Sequence, residues 1–201
     1  MTKFTITKNG EIVNPSSYSW NEDTKTFTSK LNNLVLDFSN LNNCTFNTGF
    51  ECTFKTRFEC NFNTGDNCNF NTGDDCTFVT GSNCTFNVGD GCNFNTGYGC
   101  IFNTGYGCNF KTSYSCNFTT GYRCTFTAGW SCTFSVGDEC VVIRRDIYEI
   151  IELEESLTTK LNEYGIKGFE ILEKKQEMTV QEMTIQEIET KLGIKNLKII
   201  K

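Results

Sequence analysis

The sequence predicts a mainly β protein: a parallel β-solenoid of octapeptide repeats, two octads to each 16-residue rung, with a β-hairpin cap before it and a small α+β unit after it. Three observations predict it. All 13 cysteines of the 201-residue chain fall eight residues apart, from Cys44 to Cys140. A phenylalanine follows two residues after each of the first twelve. Glycine stands three residues beyond that phenylalanine in ten of the twelve copies, with Arg57 and Ser113 the exceptions. A period this strict marks one structural unit stacked on copies of itself.

The elements follow in order, and residues 1–43 are expected to form the N-terminal β cap. "FTITKNGEIV" places Asn9-Gly10 between alternating apolar residues, a strong hairpin signal. "YSWNEDTKTF" reads as a second hairpin with a four-residue loop. "LDFSNLNN" is a degenerate octad, with Leu36 expected in the Cys slot and Phe38 in the Phe slot. These segments would cover the open first rung, whose bare edge is an aggregation risk.

Residues 44–140 form the repeat array, with the unit Cys–x–Phe–x–Thr–Gly–x–x. In an extended segment slots one, three and five share a face. Slot five accepts Val88, Ala128 and Val136 in place of threonine, so the inward set is Cys, Phe and Thr. The predicted core therefore includes Cys44, Phe46, Cys92, Phe94, Cys100, Phe102, Cys108 and Phe110. Slots two and four carry mostly Asn and Thr, with Lys55 and Lys111 among them, which suits a solvated wall. Slot six marks the corner, read here as a glycine at positive φ, and slots seven and eight as freely varying turn residues.

Identical residues at a fixed period stack in register most naturally when each rung lies parallel over the last. Two octads per rung set Phe against Phe across the coil and Cys against Thr, so large groups meet at the centre and small ones at the edges. Three octads would crowd three rings on a triangular axis. Twelve octads then make six rungs, a rod about 28 Å long at the usual strand spacing.

Residues 141–201 are expected to be a C-terminal α+β cap or oligomerisation unit. Cys140 opens a final strand in "CVVIRRDIYEIIEL", with Val142 in the Phe slot and Arg145 in place of the corner glycine. "KGFEILEKK" reads as another strand and "LKII" as a short closing one. In "MTIQEIETKLG", Thr184 and Glu187 form a Thr-x-x-Glu capping box, with Ile185, Ile188 and Leu192 on one face and Gly193 past the end.

The formal charge is −6 with no basic block, which argues against capture of nucleic acid or an anionic membrane. No stretch approaches the roughly 18 apolar residues of a membrane span, and "MTKFTITKNGEIV" lacks the apolar core of a signal peptide. The expectation is a protein kept in a cytosol-like compartment or a virion, its thiols reduced and buried. A straight ladder of thiols does not converge tetrahedrally and histidine is absent, so neither a metal nor a cofactor is expected. Histidine-based, Ser-elbow and phosphate-cradling motifs are all missing, and inward cysteines have no base beside them, so the expectation is a non-enzyme.

One surface feature stands out. Slot seven runs Tyr98, Tyr106, Tyr114, Tyr122 and Trp130 without interruption. In a two-sided coil these divide by parity between two corners, where they would stack. They form either self-stabilising ladders or an adhesive edge for a sugar, a protein partner or a second copy. Asp66, Asp74, Asp75 and Asp90 cluster early at corners and read as solvated turn residues. A DNA-mimicking inhibitor would need a regular acidic surface. An ice binder would need outward Thr-x-Thr rows, and only Thr125 and Thr127 provide one.

The Gly-x-x-Cys-x-Phe octad, followed by "CVVIRRDIYEIIEL" and "LNEYGIKGFEIL", resembles octapeptide-repeat proteins of tailed bacteriophages and large DNA viruses over residues 44 to about 173. The resemblance implies a virus-associated origin and a virion or accessory structural role. It carries no catalytic residues over to this chain.

Overall fold

The computed structural model describes residues 4–155 and 157–174. The chain is a parallel β-solenoid of about seven turns with rungs of about 16 residues. It begins with two antiparallel hairpins. β1 (Thr5–Lys8) and β2 (Glu11–Ile12) are joined by Asn9 and Gly10 at φ +53° and +85°, the left-handed pair a tight two-residue turn needs. β3 (Ser19–Asn21) and β4 (Thr26–Thr28) flank the expected four-residue loop. β5 (Val35–Asp37) follows.

Each octad of the array then contributes one short strand centred on its phenylalanine, from β6 (Thr45–Asn47) through β17 (Thr133–Ser135). β6 pairs in parallel with the strand two further on, Phe46 opposite Phe62, and the same register holds along the rod. One wall continues the ladder from β1 and β5, and the other from β3 and β4. The first full turn is built upstream of Cys44, which raises the count beyond the expected six: Phe27 lies opposite Phe46 and Leu36 opposite Phe54.

That register corrects the reading of "LDFSNLNN". Leu36 fills the Phe slot, not the Cys slot, and Phe38 lies one inward position further on. The physical reason is the open end. Phe38 stacks on Phe4 at 4.3 Å, meets Trp20 at 5.5 Å and packs edge-on to Phe46 at 4.9 Å. The ring is used to plug the first turn.

Cys, Phe and Thr face inward as expected, and the Cys and Phe of every array octad are buried. Within a wall the rings stack face to face, Phe78 on Phe94 at 4.9 Å and 4°. Between walls they meet edge to face, Phe78 on Phe86 at 5.2 Å and 77°. Both are favoured arrangements of the aromatic quadrupole.

The corner chemistry differs from the expectation. The left-handed residue of each corner is in slot eight, from Glu51 at φ +58° to Glu139 at +57°, and only Gly91, Gly99 and Gly107 meet it with glycine. Slot-six glycine has another cause. A Cβ on Gly137 would sit 2.9 Å from Tyr122 N and 3.0 Å from Gly121 C, both in the rung beneath. Glycine lets two corners approach closely enough for Gly137 N–H to reach Gly121 C=O at 3.2 Å.

At the far end, β18 (Cys140–Arg144) sets Val142 opposite Phe126, and Arg145 N–H bonds Ala128 C=O where the corner glycine usually stands. The segment expected as one strand folds back: β19 (Ile150–Leu153) pairs antiparallel with β18. Arg144 causes the break. Its buried guanidinium pairs with Asp146 at 2.6 Å, closing the loop after it. β20 (Leu157–Leu161), which the sequence reading missed, pairs antiparallel with β17 and covers Phe134 with Thr159. β21 (Phe169–Lys174), expected as a strand, pairs with β20. The Thr184–Glu187 capping box and the "LKII" strand lie outside the described residues.

Candidate functional site

The corner residues are held by a ladder of their own. Slot-six N–H groups bond slot-six carbonyls one rung down, as in Gly97 to Gly81 at 3.0 Å. Slot seven is thereby pushed outward at a fixed height on each rung. One corner carries Phe50, Asp66, Ser82, Tyr98, Tyr114 and Trp130, and the other Phe58, Asp74, Asp90, Tyr106, Tyr122 and Asp138.

The slot-seven acids have a definite role there. Asp66 Oδ1 accepts from Ser82 N–H at 2.8 Å, Asp74 Oδ1 from Asp90 N–H at 3.0 Å and Asp90 Oδ1 from Tyr106 N–H at 3.0 Å. Each caps the rung above it. The signal was a short acceptor in slot seven 16 residues before the donor, hidden because slots seven and eight look like ordinary turn sequence.

The aromatics divide by parity. Tyr98 stacks on Tyr114 at 5.3 Å and Tyr114 on Trp130 at 4.7 Å; on the opposite corner Tyr106 stacks on Tyr122 at 5.0 Å. Tyr98, Tyr106 and Tyr122 remain about 45–47% exposed. Rings stacked this way cover one another's faces and present their edges and phenol groups outward. Tyr164, from the loop between β20 and β21, meets Trp130 edge-on at 5.0 Å.

The core thiols are enclosed in the columns, where neighbouring sulfurs shift one another in opposite directions, raising Cys84 and lowering Cys60 and Cys124. Cys92 Sγ donates to Asp90 O at 3.4 Å and Gly73 O at 3.7 Å, and accepts from Cys76 N–H at 3.4 Å. Cys44, Cys100 and Cys108 sit equally deep, and every cysteine is free and buried. The neighbouring thiol in the column, and then burial, hold Cys84 and Cys100 up at about 11. The alcohol of slot five turns to the same corners, as in Thr64 Oγ1 to Gly65 O at 3.5 Å. Among the described residues no group of three or more His, Cys, Asp or Glu could hold a metal ion, and no helix is long and apolar enough to cross a membrane.

Each aromatic corner ends in a cleft beside the C-terminal hairpins. Beyond Tyr122 lies a cleft of about 510 Å3 lined by Arg123, Asp138, Glu139 and Glu155, in which Arg123 Nε pairs with Glu139 at 2.7 Å. Beyond Trp130 lies another of about 390 Å3, bordered by Arg145, Asp146, Tyr148 and Tyr164. The sequence reading missed both, since they depend on where the final hairpins fold back.

No family model, curated protein or solved structure matches the chain. The fold places it in the class of parallel β-solenoids with flattened, two-walled rungs.

Proposed function

We propose that the protein is a non-enzymatic structural or interaction element, a rigid β-solenoid rod associated with a virus. One observation carries this reading: two in-register columns of stacked phenylalanine run from Phe46 to Phe134 and are closed by antiparallel hairpins at both ends. Parallel ladders and ring stacks make each rung depend on its neighbours, which resists bending. The viral association rests on the resemblance of the octad and of "CVVIRRDIYEIIEL", and implies a place in the host cell or the virion. A protein partner or self-association through the aromatic corners or the C-terminal unit fits this role better than nucleic acid or membrane, given the net charge of −6.

Light scattering combined with small-angle scattering on the reduced full-length protein tests it. A stiff, elongated particle forming one defined oligomer is the expected result. A monomer at every concentration would overturn the self-association and leave the second reading, a glycan- or surface-binding module. That reading is favoured by a specific feature, the cleft beyond Trp130.

A further inference from the structure

Arg145 is the anomaly of the last rung. It stands in the corner slot that is almost always glycine, at the point where the chain leaves the coil. Its side chain runs back along the corner, and Nη1 donates to Thr112 O at 3.3 Å, 33 residues earlier in sequence. No carboxylate among the described residues pairs with Arg145. The neighbouring acids are engaged elsewhere: Asp146 by Arg144 at 2.6 Å and by Gly165 N–H at 3.0 Å, Glu149 by Gly168 N–H at 2.9 Å, and Glu163 by Ser131 Oγ at 2.9 Å.

The walls around that guanidinium are aromatic. Tyr148 is 86% exposed and held at φ +53°, a conformation bulky residues seldom adopt. Tyr164 is 67% exposed against the edge of Trp130. The site therefore offers one guanidinium with no carboxylate partner among the described residues and two presented aromatic rings, while Asp146, which also lines it, is held by Arg144.

We propose that this cleft binds an anionic saccharide of the uronic acid class, with its carboxylate on the Arg145 guanidinium and its CH-lined ring face against the exposed tyrosines. Guanidinium and carboxylate match as a two-pronged pair. A shallow cleft mixing ring surface with a few convergent polar groups suits a sugar. An acidic peptide would call for several cations, and the cleft has one. The opposite cleft lacks this property, because Glu139 neutralises Arg123 and Asp138 and Glu155 stand beside it. The inference rests on the glycan-binding reading and not on the rod, which the scattering experiment tests separately.

The experiment is a calorimetric or saturation-transfer titration of the full-length protein with methyl β-D-glucuronide and with methyl β-D-glucoside. The glucuronide is expected to bind, and the glucoside at least about tenfold more weakly, as loss of one charge-assisted pair implies. Arg145→Met should weaken the glucuronide by about the same factor, with Arg145→Lys intermediate, while Arg123→Met leaves it unchanged. Unaltered circular dichroism in the variants shows that the fold persists. Equal affinity for the two sugars, an Arg145→Met variant that binds normally, or no binding of the glucuronide to the wild-type protein would each overturn the proposal.

Discussion

Arg144 and Asp146 form an ion pair at 2.6 Å with both side chains out of solvent, and around it the turn after β18 is tied to the turn after β20. Arg144 also donates to the carbonyls of Ile166, Glu163 and Gly168, so one guanidinium anchors a loop about 20 residues away in sequence. Removing it by Arg144→Ala leaves Asp146 buried without a counter-charge, a loss of about 3–5 kcal/mol. Amide exchange should show residues 163–168 opening first, with the array around Phe94 still protected.

The same pair makes the cap sensitive to acid. Burial works to raise the Asp146 pKa, but Arg144 and the Gly165 N–H outweigh it and hold it below the ordinary carboxylate value. A depressed folded pKa contributes stability that is present above the unfolded value of about 3.9 and lost as pH falls through the folded one. Exchange at Gly165 should therefore accelerate below about pH 4 in the wild type, and Asp146→Asn should abolish that dependence.

The two kinds of corner glycine should respond oppositely. Gly137→Ala forces a Cβ to within 2.9–3.0 Å of backbone in the rung beneath and should cost about 1–3 kcal/mol by denaturant titration. Gly107, at φ +65° with nothing within 4 Å of a would-be Cβ, should accept Asn with almost no loss, since Asn tolerates the left-handed region.

Cys84 and Cys100 predict an alkaline component of stability. Cys84 and Cys100, pushed up to about 11, stay protonated in the folded protein where an unfolded thiol ionises near about 8.5. Their contribution is complete below that unfolded value and is lost as pH rises through the folded one, so replacing the pair by Cys84→Ala and Cys100→Ala should flatten the fall in stability between about pH 8.5 and 11. A thiol reagent at pH 7.5 should label none of the cysteines until the protein is unfolded.

A phenylalanine in mid-array has neighbours on four sides. Phe94 touches Phe78, Phe110, Phe86 and Phe102 at 4.7–5.2 Å. Phe94→Ala should cost about 3–5 kcal/mol and separate unfolding into two transitions, one on each side of the gap. A single cooperative transition at lower temperature would show that coupling spans the whole rod.

The wall of each rung could be read from sequence because its cause is local. Cys, Phe and Thr alternate along one short strand, and their substitution by Val or Ala at slot five marks the inward face. What could not be read depends on contacts between rungs or between distant segments. Slot-six glycine is needed because of a neighbour 16 residues away, so its scarcity of side chain was attributed to its own φ. Phe38 fits the period in frame, yet the end needs a plug, and two residues of slippage supply it. Arg144 looks like a surface residue in "VVIRRD" until Asp146, Glu163 and Gly168 are brought around it. The aromatic columns were legible from spacing, whereas the clefts at their ends were not, since Arg145 and Tyr148 come from the turn after β18 and Tyr164 from the turn after β20.

Sixteen residues return the chain to the same wall, whereas eight carry it only halfway round. Gaining or losing one octad would therefore move every later residue to the opposite wall and rotate the far cap by half a revolution about the long axis. Trp130 and the cleft beyond it would then look the other way from Trp20 and the hairpins at the start. Octads inserted or deleted in pairs change the reach of the molecule and leave the relative facing of its two ends untouched.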